Sequence, residues 1–149
     1  YSYHIRAKNG AGLWGDFATG GSFTVVAPGP PPAVANFVGR FNGSNVNGAN
    51  LTTTSPTLQF TWSHPFDLSG IERYQIVLQP TDGSGWLYSP HVLYPNQAYS
   101  LATTGLQVGM SYTYHIRAKN NAGLWGPFIN GGQFSVVSAK REMPVNSPQ

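Results

Sequence analysis

From Tyr112 onward the chain alternates, with Tyr112, Tyr114, Ile116 and Ala118 apolar and Thr113, His115, Arg117 and Lys119 polar between them. A period of two puts one set of side chains on a dry face and the other on a wet face, which predicts a β-strand. The run Asn120-Asn121-Ala122-Gly123 breaks the strand, Gly126-Pro127 and Gly131-Gly132 punctuate the next ten residues, and Phe134-Ser135-Val136 resumes the alternation. The expected product is a hairpin with a long connection that carries Trp125. The same stretch opens the chain: Tyr1–Val26, YSYHIRAKNGAGLWGDFATGGSFTVV, aligns with Tyr112–Val137, YTYHIRAKNNAGLWGPFINGGQFSVV, with 19 of 26 positions identical. Repetition at a domain-sized spacing marks an array of similar units.

Between the two copies lie further strand patterns. Val34, Phe37 and Val38 suggest a short first strand within 33–41, and 42–54 reads as a mobile loop of Asn, Gly, Ser and Thr. Thr57–Trp62 alternates cleanly, placing Leu58, Phe60 and Trp62 on one buried face. Ser63–Gly70 turns the chain, Ile71–Gln79 is a strand with Tyr74, Ile76 and Leu78 inward, and Pro80 ends it. Thr81–Gly85 leads into Trp86-Leu87-Tyr88 and an irregular stretch with Pro90 and Pro95. Tyr99–Leu101 is another strand, and Leu106–Met110 connects to the second hairpin. No helical period of 3.6 persists and turns recur every ten or so residues, so the expected fold is an all-β sandwich of about seven strands. The expected core contains Leu58, Phe60, Trp62, Tyr74, Ile76, Leu106, Tyr112, Tyr114, Ile116 and Phe134.

Prolines set the boundaries. Four fall in the five positions 28–32, where they cannot join a ladder and favour extended polyproline geometry. The expected organisation is a hairpin of a preceding repeat at 1–26, a semi-rigid linker at 27–32, one domain at 33–137, and a linker or tail at 138–149.

Composition narrows the class. Hydrophobic residues make up 40% and aromatics 13% of 149 residues, enough for one core. There is no cysteine, hence no disulfide or thiolate metal site. Only 9% of residues are charged, against about 25% in an average soluble domain, and Thr, Ser, Asn and Gly supply the polar surface, as is common outside cells. The net charge of +3 is scattered rather than clustered, which argues against nucleic acid as a partner. No run approaches the ~18 apolar residues of a membrane span. Asn42-Gly43-Ser44 and Asn50-Leu51-Thr52 are N-glycosylation acceptor triplets, which also arise by chance.

The sequence Leu106-Gln107-Val108-Gly109-Met110-Ser111-Tyr112, followed by Tyr114, Ile116, Ala118, Asn120 and Gly123, resembles the fibronectin type III signature, in which Leu, any residue, Pro, Gly and two residues of any kind precede Tyr. Val108 stands where that family usually has proline. Trp62 and Tyr74 also fall where the family places its core Trp and Tyr. The resemblance covers about 105 residues and implies a seven-stranded sandwich. It further implies that Tyr112 is a "tyrosine corner", its hydroxyl bonding back to the backbone of the preceding connection. Tyr1–Val26 would then be the sixth and seventh strands of a preceding domain. Function does not follow from such a fold, which serves adhesion, spacing, fibre building and carbohydrate binding alike.

Candidate chemistry is sparse. His4, His64, His91 and His115 show no ligand spacing, and His4 and His115 sit on the wet face of the repeated strand, where solvated surface is the simpler account. Asp16, Asp67, Glu72, Asp82 and Glu142 are too dispersed to nominate a carboxylate pair or a calcium site, although Asp67 and Glu72 flank one turn. The stripes His4-Arg6-Lys8 and His115-Arg117-Lys119 could attract an acidic surface or anionic glycan, or simply form a soluble sheet face that deters edge pairing.

The loops Gly12-Leu13-Trp14-Gly15 and Gly123-Leu124-Trp125-Gly126 say more, because a loop Trp is costly to leave in water. Leu13, Trp14, Leu124 and Trp125 are expected to pack within or between units or to meet a ligand. Trp86 and Tyr88, with Tyr94 and Tyr99, could form a sugar-stacking platform or anchor loops. No metal or cofactor is expected. The reading is a non-enzymatic tandem-repeat protein of an extracellular or cell-surface fibre, with neighbouring copies as partners. The alternative is a carbohydrate-binding or spacer module of a secreted multidomain enzyme.

Overall fold

The computed structural model describes residues 1–52, 57–102 and 105–138. Its strands in chain order are β1 (Ser2–Ile5), β2 (Ala18–Ser22), β3 (Ala35–Phe41), β4 (Ser44–Asn45), β5 (Asn50–Thr52), β6 (Thr57–Ser63), β7 (Ile71–Pro80), β8 (His91–Leu93), β9 (Ala98–Ala102), β10 (Ser111–Asn120) and β11 (Ile129–Val137). A four-stranded sheet, β4-β3-β6-β9, faces a five-stranded sheet, β5-β11-β10-β7-β8, and β1-β2 stands as a separate ribbon. The frame is the seven-stranded all-β sandwich preceded by an extra hairpin. To that frame β4 and β5 add two- and three-residue pieces.

Period-two patterning builds the core. Leu58, Phe60 and Trp62 of β6 and Tyr112, Tyr114 and Ile116 of β10 are buried in the one core between the two sheets, and all ten residues of the expected core are buried. The filling is aromatic: Phe60 stacks on Phe37 at 5.5 Å, Tyr114 lies 5.5 Å from Phe60, Tyr112 stacks on Phe134 at 5.6 Å and Trp62 packs 5.2 Å from Tyr74. Such rings bury large areas in offset or tilted pairs. Burial pushes the Tyr74 phenol up to about 12, and its hydroxyl pairs with the His64 ring. The Tyr112 hydroxyl accepts the Gln107 amide hydrogen at 2.8 Å, tying the connection before β10 to the strand it enters.

One part of the expected pattern is corrected. The segment 42–54 is not a free loop as far as it is described. Val46 and Leu51 are buried, the Val46 amide bonds to Gly39, and β5 pairs in parallel with β11. Two apolar residues isolated in a polar run are enough to pull it onto the sandwich, where they cap the edge between the sheets. Thr53, Thr54 and the tail from 139 to 149, including Lys140, Arg141 and Glu142, lie outside the described residues.

The two copies of the repeated stretch have different surroundings. β10-β11 lies between β7 and β5, with Tyr112, Tyr114, Ile116, Phe134 and Val136 buried. In β1-β2 the matching Tyr1, Tyr3, Ile5, Phe23 and Val25 are exposed, with Tyr1 stacked only on Phe23. Each such side chain forgoes about 1.5–3 kcal/mol of burial.

This contrast gives a matched pair: Ile5 is 73% exposed and Ile116 0% in nearly the same local sequence. Ile116→Ala should cost about 2–5 kcal/mol in chemical denaturation and Ile5→Ala within about 0.5 kcal/mol. Equal costs would show that β1-β2 is covered in solution. Tyr112→Phe, which removes the bond to the Gln107 amide, should cost about 0.5–1.5 kcal/mol.

Candidate functional site

The outer face of the five-stranded sheet is built by a loop that folds back over its own strand. After β10 the Asn120 side chain organises the turn, its Oδ1 accepting the Leu124 amide at 3.0 Å. The Asn120 amide donates to the Leu124 carbonyl and the Gly123 amide to the Asn120 carbonyl, both at 3.0 Å. Gly123 holds φ +84°, a left-handed conformation that glycine adopts without strain. The Gly126 amide then bonds the Ala118 carbonyl at 2.8 Å, which lays residues 124–128 back across the strand.

Trp125 and Phe128 therefore cover Arg117, whose guanidinium carbon lies 4.2 Å and 4.4 Å from the two ring centroids. Lys119 approaches Trp125 at 5.6 Å, His91 meets its edge at 5.6 Å, and Trp86 meets Phe128 edge-on at 5.8 Å. The Arg117 Nε–H donates to Gln75 Oε1 at 2.9 Å. A guanidinium over aromatic faces contributes about 0.5–2 kcal/mol depending on desolvation. The stripe expected to be a solvated face is thus a half-buried cation–aromatic stack. The alternation of the strand holds, but the loop supplies a cover on its polar side.

The opening copy reproduces this stack with no sheet behind it. Arg6 lies 4.3 Å from Trp14 and 4.5 Å from Phe17, and Lys8 lies 5.5 Å from Trp14. Gly12 also has φ +84°, and the Gly15 amide bonds the Ala7 carbonyl at 2.8 Å. The loop is set by local sequence alone. Arg6 and Arg117 stood out only as members of the basic stripes, and Phe17, Phe128 and Asn120 did not stand out as site residues, although the two phenylalanines occupy equivalent positions in the repeat.

Beside the stack, Val77, Gln79, Trp86, His115 and Phe128 line an open notch of about 200 Å³. Trp86 is half-exposed there. Tyr88 packs against the core and Tyr99 is partly buried against it, while Tyr94 sits with His64 at 4.7 Å. The four aromatics considered as one platform are therefore dispersed: Trp86 and Tyr88 lie in the β7–β8 connection, Tyr94 follows β8 and Tyr99 is on β9 in the other sheet. Leu124 and Leu13 project at the loop tips. Asn42, in the β3–β4 turn at φ 49°, and Asn50, at the start of β5, are both exposed. Among the described residues no group of three His, Asp or Glu side chains is placed to hold a metal.

Electrostatics on this face disfavour further positive charge. Burial, then the nearby Arg73, Arg117 and Lys119, lowers the pKa of His91, and burial lowers that of His115. Burial also lowers Arg117 from its ordinary value. Glu72 partly offsets the cations, pairing with Arg73 at 2.9 Å and Lys119 at 3.7 Å. A depressed histidine pKa means the unfolded chain takes up protons first as pH falls below about 6.5, so this contribution to stability is whole above that value and declines below it. The melting temperature should be lower near pH 5 than near pH 7.5, and replacing both His91 and His115 with Gln should shrink the difference. An unchanged difference would assign the acid sensitivity to other groups.

The family model for the fibronectin type III domain matches residues 44–129, more than half of the chain. Endoglucanase B of Cellulomonas fimi is 32% identical over 123 residues, covering 83% of this chain and 11% of that protein, so the chain spans about a tenth of its relative's length. Among solved structures, the twitchin kinase region of C. elegans aligns at a TM-score of 0.54 and 16% identity over 78% of this chain and 18% of that one. The FN1-FN3 domains of chicken CNTN1 align at 0.52 and 17% over 93% and 42%. With the paired sheets, the Tyr112–Gln107 bond and the family match in agreement, the chain belongs to the fibronectin type III domain family.

Proposed function

We propose that this chain is a stretch of a tandem fibronectin type III array that serves as a non-catalytic structural or adhesive part of an extracellular or cell-surface protein. The observation that carries the reading is the opening ribbon: β1-β2 has the register, turn and cation–aromatic stack of β10-β11, yet its apolar face is bare. An isolated two-stranded ribbon is marginal in water. A preceding unit contributing five further strands would bury that face as β3, β6 and β7 help bury the second copy.

A second reading is a spacer or carbohydrate-contacting module of a secreted polysaccharide-degrading enzyme, favoured by the similarity to an endoglucanase of which this chain matches about a tenth. The half-exposed Trp86 beside Phe128 is the place where a sugar ring would stack.

Peptide mapping of the native polypeptide tests the array. The expected outcome is a chain well above 16.1 kDa with fibronectin type III sequence ahead of Tyr1. A mature chain of that mass starting at Tyr1 would overturn it. Pull-down on insoluble glucans separates the two readings: binding that is lost in both Trp86→Ala and Trp125→Ala supports the carbohydrate role, and no retention of the parent protein removes it.

A further inference from the structure

The linker is held by the domain that comes after it. The buried Asn120 side chain donates from Nδ2 to the Gly29 carbonyl at 2.8 Å. Pro31 is buried, and its carbonyl oxygen lies so close to Gly126 that a Cβ there would stand 2.5 Å away. Asn120 and Gly126 belong to the fold-back loop, so the turn that builds the cation–aromatic stack also grips the incoming chain.

Strand directions place this grip at one end of the domain. β10 runs toward it, and β11 runs away to finish at Val137, the equivalent of Val26. The preceding unit's last strand therefore finishes at its far end, near Val26, and only three residue steps separate Val26 from the anchored Gly29. At ~3.1 Å per residue in extended polyproline geometry they span roughly 10 Å, which is the spacing of two layers in packing contact. No room remains for a free hinge of any length.

At that spot the β6–β7 loop exposes Phe66 at 80% and Leu68 at 87%. Together with Val26, Pro28 and Pro30 they line an open groove of about 560 Å³. Two large apolar side chains beside a short, anchored linker are left uncovered among the described residues. The opposite end of the domain offers the complement. In the connection before β10, Val108 is 54% exposed, and Gly109 ties that connection to β11 through its amide on the Val136 carbonyl at 2.8 Å.

We propose that Phe66 and Leu68 form a socket for the far end of the preceding fibronectin type III unit, received at that unit's counterpart of Val108, so that consecutive units stand end to end at a fixed angle. The proposal rests on the tandem-array reading and adds to it a stiff joint: the array is a rod, not beads on a flexible string.

The test uses the native polypeptide containing the preceding unit, with spin labels at Thr24→Cys and Ser100→Cys, one on each side of the joint. This chain has no cysteine of its own to compete for label. A single narrow distance distribution is expected, and Phe66→Ser with Leu68→Ser should abolish the narrow peak while the domain still unfolds as one cooperative unit, since neither side chain is in the core. The exchange Phe66→Leu with Leu68→Phe, which keeps the patch apolar, should retain the peak. A broad distribution in the parent, or a narrow peak surviving both serines, overturns the joint alone. A native polypeptide with no preceding unit, seen by peptide mapping before any distance is measured, overturns the array reading and the joint with it.

Discussion

A β-ribbon with one apolar face must have that face covered, and most of this molecule is shaped by how that requirement is met. In β10-β11 the cover is complete. β7 and β5 flank the ribbon in its own sheet, the facing sheet brings Phe37, Phe60 and Leu58 against Tyr112, Tyr114 and Phe134, and β4 and β5 close the edge. The closing pieces are the least obvious in the chain. Val46 and Leu51 are single apolar residues in a polar run, but they are buried because the opening between the sheets is otherwise lined with rings.

The polar face of the same ribbon is governed by a different interaction. Arg117 could have projected into water, yet the turn at Asn120 brings Trp125 and Phe128 down on it, shielding its guanidinium while Gln75 satisfies Nε. This exchange of hydration for aromatic contact is local. It recurs at Arg6 with distances within about 0.1 Å, although nothing lies behind β1-β2. Local turn chemistry sets the loop, and the sandwich merely receives it.

Asn120 links these two layers of organisation. One side-chain oxygen shapes the loop and one side-chain nitrogen holds the linker, so the stack, the strand end and the entering chain are positioned by one buried amide. In the first copy, Asn9 performs the first role, accepting the Ala11 and Leu13 amides at 3.0 Å. The identical amino acid thus appears once with its loop role and once with both, according to what surrounds it.

By itself the sequence determined what repetition, alternation and turn residues can encode. The strands at Thr57–Trp62, Ile71–Gln79 and Tyr112–Lys119, the inward set including Trp62 and Tyr74, and the duplicate hairpin were all legible, because a period of two fixes which side of a sheet a residue takes and a near-identical stretch adopts the same local form. Only the tertiary structure decided which surfaces meet. Alternation marked Arg117 and Lys119 as facing away from the core and had no means of showing that a loop would return over them. Trp86, Tyr88, Tyr94 and Tyr99 share a composition but not a face, since strand pairing rather than sequence distance sets which aromatics are neighbours. Pro31 and Gly126 read as linker and loop punctuation, and only folding, which places residues nearly a hundred positions apart in contact, brought the linker onto the loop.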